Sequence, residues 1–309
     1  MPEHMRAHAV EVTVPATSAN LGPGFDCLGL AIGVHDRVTA MVTDDPGIAV
    51  TVEGEGAETL PRGESHLVAR AMLAAWSAME LPPAGAVLTC VNAIPQGRGM
   101  GSSAAAIVAG LLLGRALVAD GEERLAPADV LDLATRMEGH PDNVAAALLG
   151  GFTTAWVETP GADSVHARAV SHRVHPDVVP VVIVPPVAMP TREARRMLPD
   201  MVEREDAVFN VGRAALLVHA LTSDPALLMS ATEDRLHQDA RAAAYPQSHE
   251  LVAALRSRGI PAVISGAGPS VLALADSTAA PAVLAAAPEG WQAVVVPVDV
   301  AGARVHING

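Results

Sequence analysis

The chain contains no lysine: all 20 of its basic residues are arginine. That absence excludes a Walker-A phosphate loop, whose Lys reaches the terminal phosphates, and it excludes Schiff-base chemistry. Aromatic residues make up only 2% of the 309 positions, so the core has to be assembled from Ala, Val and Leu. The two cysteines, Cys27 and Cys90, form no C-x-x-C pair, which argues against a zinc site or disulfide framework and for a reducing compartment. Long apolar runs are missing too. The most apolar stretch, Ala104 to Gly114, ends at Arg115 and falls short of the ~20 residues that span a bilayer. Met1 to Val10 has no secretory apolar region. A net charge of −14 disfavours a nucleic-acid or anionic membrane surface. The expectation is a cytoplasmic protein whose partner is a small molecule, with neither nucleic acid nor membrane involved.

What is present suits a large folded chain. Half of the residues are hydrophobic and 17% are charged, enough to bury a sizeable core in one large domain or two. Val10 to Val14, Cys27 to Val34, Arg37 to Val42, Ile48 to Val52, Val87 to Ile94 and Phe152 to Val157 read as strands. His66 to Met79, Ser103 to Ala119, Pro127 to Met137 and Val144 to Leu149 read as helices. After a polar, linker-like stretch from Glu158 to Ser164, Val178 to Val184 is a strand. Thr191 to Met197, Glu205 to Leu221, Asp224 to His237 and Gln247 to Arg258 read as helices. Ala262 to Ala275 reads as strand, turn, strand, and Trp291 to Val296 as a last strand. The mixture predicts an α+β protein of two domains, 1–160 and 161–309.

Four segments carry chemistry. In P-Q-G-R-G-M-G-S-S-A-A, Pro95 to Ala105, the glycines Gly97, Gly99 and Gly101 permit positive φ and close approach of backbone N–H groups. Ser102 and Ser103 then open a helix at the positive end of its dipole, an arrangement suited to phosphate. The bland alternative is a flexible strand–helix connection. In E-G-H-P-D-N, Asp142 or Asn143 caps a helix. Beside a phosphate loop, Glu138 and Ser103 could also hold Mg²⁺, which prefers carboxylate, hydroxyl and phosphate oxygens. The loop containing Asn20 and Asp26 reads equally as a compact turn or a grip on a polar substrate. S-G-A-G-P-S, Ser265 to Ser270, reads as a hairpin or as backbone approaching a ligand. Of Arg192, Arg195 and Arg196 on one predicted helix, at most one is expected to point into a site. No H-E-x-x-H or G-x-S-x-G motif is present.

In this order the segments resemble the GHMP small-molecule kinases over nearly the whole chain. P-Q-G-R-G-M-G-S-S-A-A is similar to the family's ATP loop, and S-G-A-G-P-S-V to its C-terminal glycine motif. Pro15 to Ala31, Glu138 to Gly151 and Thr191 to Pro199 resemble the branch that acts on an amino-acid alcohol. The resemblance implies a ribosomal protein S5 domain 2-like N-terminal domain and a ferredoxin-like C-terminal one, with ATP and substrate in the cleft. It implies phosphorylation of the L-homoserine side-chain hydroxyl by ATP and Mg²⁺ in threonine biosynthesis, by a chain that could form a homodimer. The alternatives are a mevalonate-type kinase or a non-catalytic binding protein on the same scaffold.

Carried over by position, Pro95, Gly97, Arg98, Gly99, Met100, Gly101, Ser102, Ser103, Ala104 and Ala105 would surround ATP. Ser103 and Glu138 would hold the metal. Asn20, Asp26, Arg195, Arg241 and Gly266 would meet the substrate, with Asp26 at its ammonium and the arginines at its carboxylate. Asn143 would hold the reacting hydroxyl, with no residue assigned as general base. Around Arg241 the chain reads H-Q-D-A-R where the family usually has H-E-P-Y-R.

Overall fold

The computed structural model describes residues 4–6, 8–161 and 164–307. Its centre is the hairpin of β1 (Val10–Asn20) and β2 (Gly24–Thr43). Along β1, Val10, Val12 and Val14 are buried while Glu11 and Thr13 are partly exposed, the alternation of a strand with one covered face. β2 is 20 residues long and serves two neighbours on one edge. Arg37–Thr43 pairs with β4 (Gly85–Asn92), and Leu28–Leu30 pairs with β5 (Phe152–Gly161). β3 (Ile48–Gly54) lies parallel to β4. β6 (Ser164–His172) extends the sheet beyond β5, and β11 (Arg304–Ile307) closes the outer edge of β1.

α1 (Leu67–Ala78), α2 (Ser102–Ala116), α3 (Gly121–Arg124), α4 (Pro127–Glu138) and α5 (Pro141–Leu149) complete this lobe. α2 lies on β1 and α5 on β2, with α1 and α4 packed against α2. Its glycines set the spacing: a Cβ at Gly110 would stand 2.3 Å from the Val68 carbonyl oxygen, and one at Gly114 2.7 Å from that of Met72. The approach lets the buried Trp76 indole N–H reach the Gly114 carbonyl at 3.0 Å.

The second lobe holds β7 (Val179–Val184), α6 (Thr191–Arg196), α7 (Arg204–Thr222), α8 (Leu228–Ala231), α9 (Gln238–Arg241), α10 (Pro246–Ser257), β8 (Ala262–Ile264), β9 (Val271–Ala275), α11 (Ala280–Ala285) and β10 (Gln292–Val295). Its four strands run antiparallel in the order β10-β7-β9-β8. The sheet is covered on both faces. Val182 and Val184 join the large core of the first lobe, while Val181 and Ile183 pack with Leu251, Leu255 and Val283 of α10 and α11. Among the described residues, no helix is long and apolar enough to cross a membrane.

Three expectations change. The linker at Glu158 to Ser164 is the far end of the β5–β6 hairpin, where Gly161 pairs with Ser164. The first sheet therefore runs past residue 160 to His172 and recruits β11 from the far end, so a division into 1–160 and 161–309 cuts through it. The helix expected over Asp224 to His237 breaks after Ala231. There the Asp234 carboxylate accepts from the N–H groups of Leu236, His237 and Gln238 and holds a turn instead. Cys27 to Val34 and Arg37 to Val42 are one strand, with a register shift opposite Pro15 and Ala16.

Candidate active site

Gly97, Gly99 and Gly101 take φ values of +62°, +72° and +68°, the left-handed region that a side chain resists. At Gly99 a Cβ would lie 2.1 Å from the Ser265 carbonyl oxygen, so the loop is pressed against the Ser265–Ser270 turn. The Ser265 hydroxyl donates to the Gly99 carbonyl at 2.6 Å. Gly101 is the N-cap of α2 and supplies no side-chain acceptor, which leaves the first-turn N–H groups open to the cavity. Just inside that turn the Ser103 hydroxyl donates to Glu138 at 2.7 Å (Oε1) and 3.0 Å (Oε2). Burial pushes the Glu138 carboxyl up, partly offset by the Ser103 hydrogen bond.

Gly139, with φ +97°, ends α4 and turns the chain at once into α5. Its N-cap is His140, and Asp142 and Asn143 sit in the first turn rather than capping it. The Asp142 carboxylate binds His140 Nδ1 and accepts from the Asn143 N–H at 2.8 Å. Burial pulls His140 down, but that carboxylate more than compensates, and its pKa is raised. Asn143 Oδ1 accepts from the Thr17 hydroxyl at 2.7 Å, which fixes the amide; its NH₂ donates to Asp142 Oδ1 at a long 3.5 Å and has a second N–H left for a ligand.

Opposite lie Asp26, in the left-handed conformation at φ +56°, and two arginines. Arg195 Nη2 and Nη1 donate to the Asp26 carboxylate at 2.5 and 3.1 Å. Arg241 is only 1% exposed. Its Nε donates to the Ala194 carbonyl at 3.0 Å, and Nη1 lies 3.3 Å from His237 Nδ1. His237 Nε2–H donates to the Gly22 carbonyl at 2.8 Å, which makes Nδ1 the acceptor for that guanidinium. H-Q-D-A-R therefore seats its arginine firmly. Both arginines lie against Phe25, with guanidinium carbons 5.7 Å (Arg195) and 5.6 Å (Arg241) from the ring centre.

One cavity collects Asn20, Asp26, Gly97, Gly99, Met100, Gly101, Ser102, Ser103, Glu138, Asn143, Arg195, Arg241 and Gly266. Asn20 reaches it with a committed amide: Nδ2 donates to the Gly266 carbonyl at 2.9 Å and Oδ1 accepts from the Asp26 N–H at 3.0 Å. Of the residues expected around ATP, Pro95, Arg98, Ala104 and Ala105 do not line it, and Ala104 and Ala105 are buried. Arg98 turns away: its guanidinium donates to the carbonyls of Pro185 and Pro186, both at 3.0 Å. Arg192 and Arg196, expected to face solvent, line a second opening with Arg195, Ser103 and Glu138.

A further cavity of about 240 Å³ adjoins the loop at Gly97, Ser102 and Ser103. Val14, Val38, Leu67, Val68, Ala105 and Ala106 make it apolar, and Asp36 and His66 are among its polar groups. His66 Nδ1 accepts from the Val68 N–H at 3.3 Å, so Nε2 carries the proton, and that buried atom has no partner among the described residues. Sequence reasoning missed this cavity, because its residues come from β1, β2, α1 and α2 and share no motif. It also missed Phe25 and His237, although both lie within a few positions of residues it did choose.

The pattern of the GHMP kinases N terminal domain matches residues 66–151, and that of the GHMP kinases C terminal domain matches residues 215–293. A homoserine kinase of Streptomyces avermitilis is 54% identical over 300 residues, covering 97% of this chain and 96% of the relative. The chain belongs to the homoserine kinase branch of the GHMP kinases. The homoserine kinase of Mycobacterium tuberculosis is 46% identical and covers 91% of this chain, with 88% of its own length matched. Among solved structures, homoserine kinase from Cytophaga hutchinsonii superposes with a TM-score of 0.80 at 28% identity over 99% of both chains. The branch thus shares the two-lobed α+β architecture. Mevalonate diphosphate decarboxylase from Staphylococcus aureus, 15% identical at a TM-score of 0.70, shares the fold alone.

Proposed function

We propose that this homoserine kinase family member transfers the γ-phosphoryl group of ATP to the side-chain hydroxyl of L-homoserine, giving O-phospho-L-homoserine for threonine biosynthesis. The observation that carries the reading is the meeting of two dissimilar sets of groups in one cavity. A glycine loop and open helix end with Ser103 and Glu138 faces Asp26 and two arginines. The first set suits a polyphosphate and the second an amino acid.

The triphosphate lies along Gly97 to Ser103, with its base in the apolar cavity beside His66. The paired hydroxyl and carboxylate of Ser103 and Glu138 are hard oxygen donors of the kind Mg²⁺ prefers, and they are the residues to hold it. Bound there, the ion would neutralise phosphate charge, a task for which this chain has no lysine. Arg192 and Arg196 at the neighbouring opening add positive charge. Asp26 takes the substrate ammonium, and Arg195 and Arg241 take its carboxylate. The Asn143 NH₂ donates to the hydroxyl oxygen and orients it for in-line attack. Phosphoryl transfer passes through a loose transition state, so positioning and charge neutralisation carry the rate and no side chain has to serve as base.

An ADP-release assay with homoserine, mevalonate and galactose tests the assignment. Turnover of homoserine alone is expected, and equal or faster turnover of mevalonate overturns it.

A further inference from the structure

Arg195 is already occupied. It grips the Asp26 carboxylate at two points, 2.5 and 3.1 Å. These are the two side chains that the proposed function offers to the two opposite charges of the amino acid, and the inference rests on that reading. Both side chains line the cavity that the phosphate loop also lines.

We propose that the Asp26–Arg195 pair is a latch that only a zwitterion opens without loss. The incoming ammonium takes the place of Arg195 on Asp26, and the incoming carboxylate takes the place of Asp26 on Arg195. The surroundings favour each half of the exchange. Oxygen or nitrogen atoms of Asp26, His140 and Asp142 lie within 4.8 Å of one another, a negative corner for the ammonium. Arg241 is held nearby against the same ring as Arg195, which makes the other corner positive. The backbone around α6 is tied down. The Met189 N–H donates to the Gly97 carbonyl at 2.6 Å, and the Ala194 carbonyl accepts from Arg241 at 3.0 Å. The latch therefore opens by rotation of the Arg195 side chain with its helix in place.

A ligand with one charge completes only half of the exchange. An amine replaces Arg195 on Asp26 and strands the guanidinium; a carboxylate replaces Asp26 on Arg195 and strands the aspartate. Leaving a partly buried charge without its partner offsets much of the new contact. The pair thus also screens out amino alcohols and hydroxy acids, even those presenting a well-placed hydroxyl.

The test is a calorimetric titration of wild type, Arg195→Leu and Asp26→Asn with three ligands. These are homoserine, 3-aminopropan-1-ol, which lacks the carboxylate, and 4-hydroxybutyrate, which lacks the ammonium. Both substitutions should weaken homoserine by about tenfold or more. Arg195→Leu should at the same time tighten 3-aminopropan-1-ol by about three- to tenfold, because Asp26 is now free. Asp26→Asn should tighten 4-hydroxybutyrate by a similar factor. Asn also suits the left-handed backbone at position 26, so the turn survives. Arg195→Gln, which keeps a polar end, should shift the amine in the same direction and stands in if the leucine variant folds poorly. If homoserine weakens while neither half-substrate binds better than to wild type, the latch is overturned and both side chains are plain contacts. If wild type does not bind homoserine, the functional reading falls and the latch falls with it.

Discussion

In the proposed site, recognition on the phosphate side of the cleft is built from backbone: three glycines at positive φ, an open helix end, and a loop pinned to Ser265. On the amino-acid side it is built from side chains delivered by separate elements: Asp26 from β2, His140 from the α4–α5 junction, Arg195 from α6 and Arg241 from α9. Backbone suits a phosphate, whose charge is spread evenly and which is presented alike by many molecules. Side chains suit a substrate whose two opposite charges must be told apart. The first arrangement is set by backbone geometry, while in the second the charges of Asp26 and Arg195 are held against each other.

The sharpest way to break the backbone side is Gly99→Ala. Its methyl group would meet the Ser265 carbonyl at a φ of +72°, and the loop must shift. A roughly 10³-fold loss in kcat/KM is expected, together with a lower Tm by thermal denaturation. Glu138→Gln should lower kcat roughly 10²-fold and leave Tm nearly unchanged, as a magnesium titration of activity would show. Burial raises the Glu138 pKa and the Ser103 hydroxyl lowers it, so Ser103→Ala should move the acid limb of the kcat/KM profile to higher pH.

On the side-chain half, His237→Gln should loosen Arg241 and raise the KM for homoserine by about tenfold, with the KM for ATP constant. Equal changes in both would mean that His237 supports the fold generally. The smallest effect is on stability. Asp36 accepts from the N–H groups of Ala93 and Ile94, just before the phosphate loop, and burial raises its pKa from 3.8 to about 6. The native state therefore binds that proton more tightly than the unfolded one, and stability falls as pH rises from about 4 to 6. Asp36→Asn keeps the acceptor and removes the charge. It should stabilise the protein by up to ~3 kcal/mol at pH 8 and very little at pH 4.

The phosphate loop, its helix and the Glu138 segment were legible because each is contiguous: glycine spacing and a helix start need only neighbours in sequence. The residues proposed for the amino-acid side were chosen through resemblance, and the structure brings them to one cavity, but there the residues themselves said less. Arg195 had no more local signal than Arg192 or Arg196, since all three sit on one short helix and only tertiary contact separates them. Arg98 shows the reverse, a loop residue whose guanidinium is drawn away by the Pro185 and Pro186 carbonyls. The strands that went unread, β6 and β11, carry His166, Arg168, Arg304 and His306 and are stabilised by pairing rather than by apolar alternation.

The pairing of β11 with β1 has a consequence for synthesis. Val10 is matched with Ile307, and the Gly33 N–H meets the Pro297 carbonyl at 2.8 Å. β1 leaves the ribosome well ahead of β11 and thus waits, with one edge open, until β11 has followed it. During that interval the edge of β1 is a template for pairing with another nascent chain. The helices of the first lobe can form meanwhile, but its sheet cannot close ahead of the second lobe. The two lobes therefore mature as one folding unit, and a fragment ending at the β5–β6 hairpin would expose the edge that the intact chain covers last.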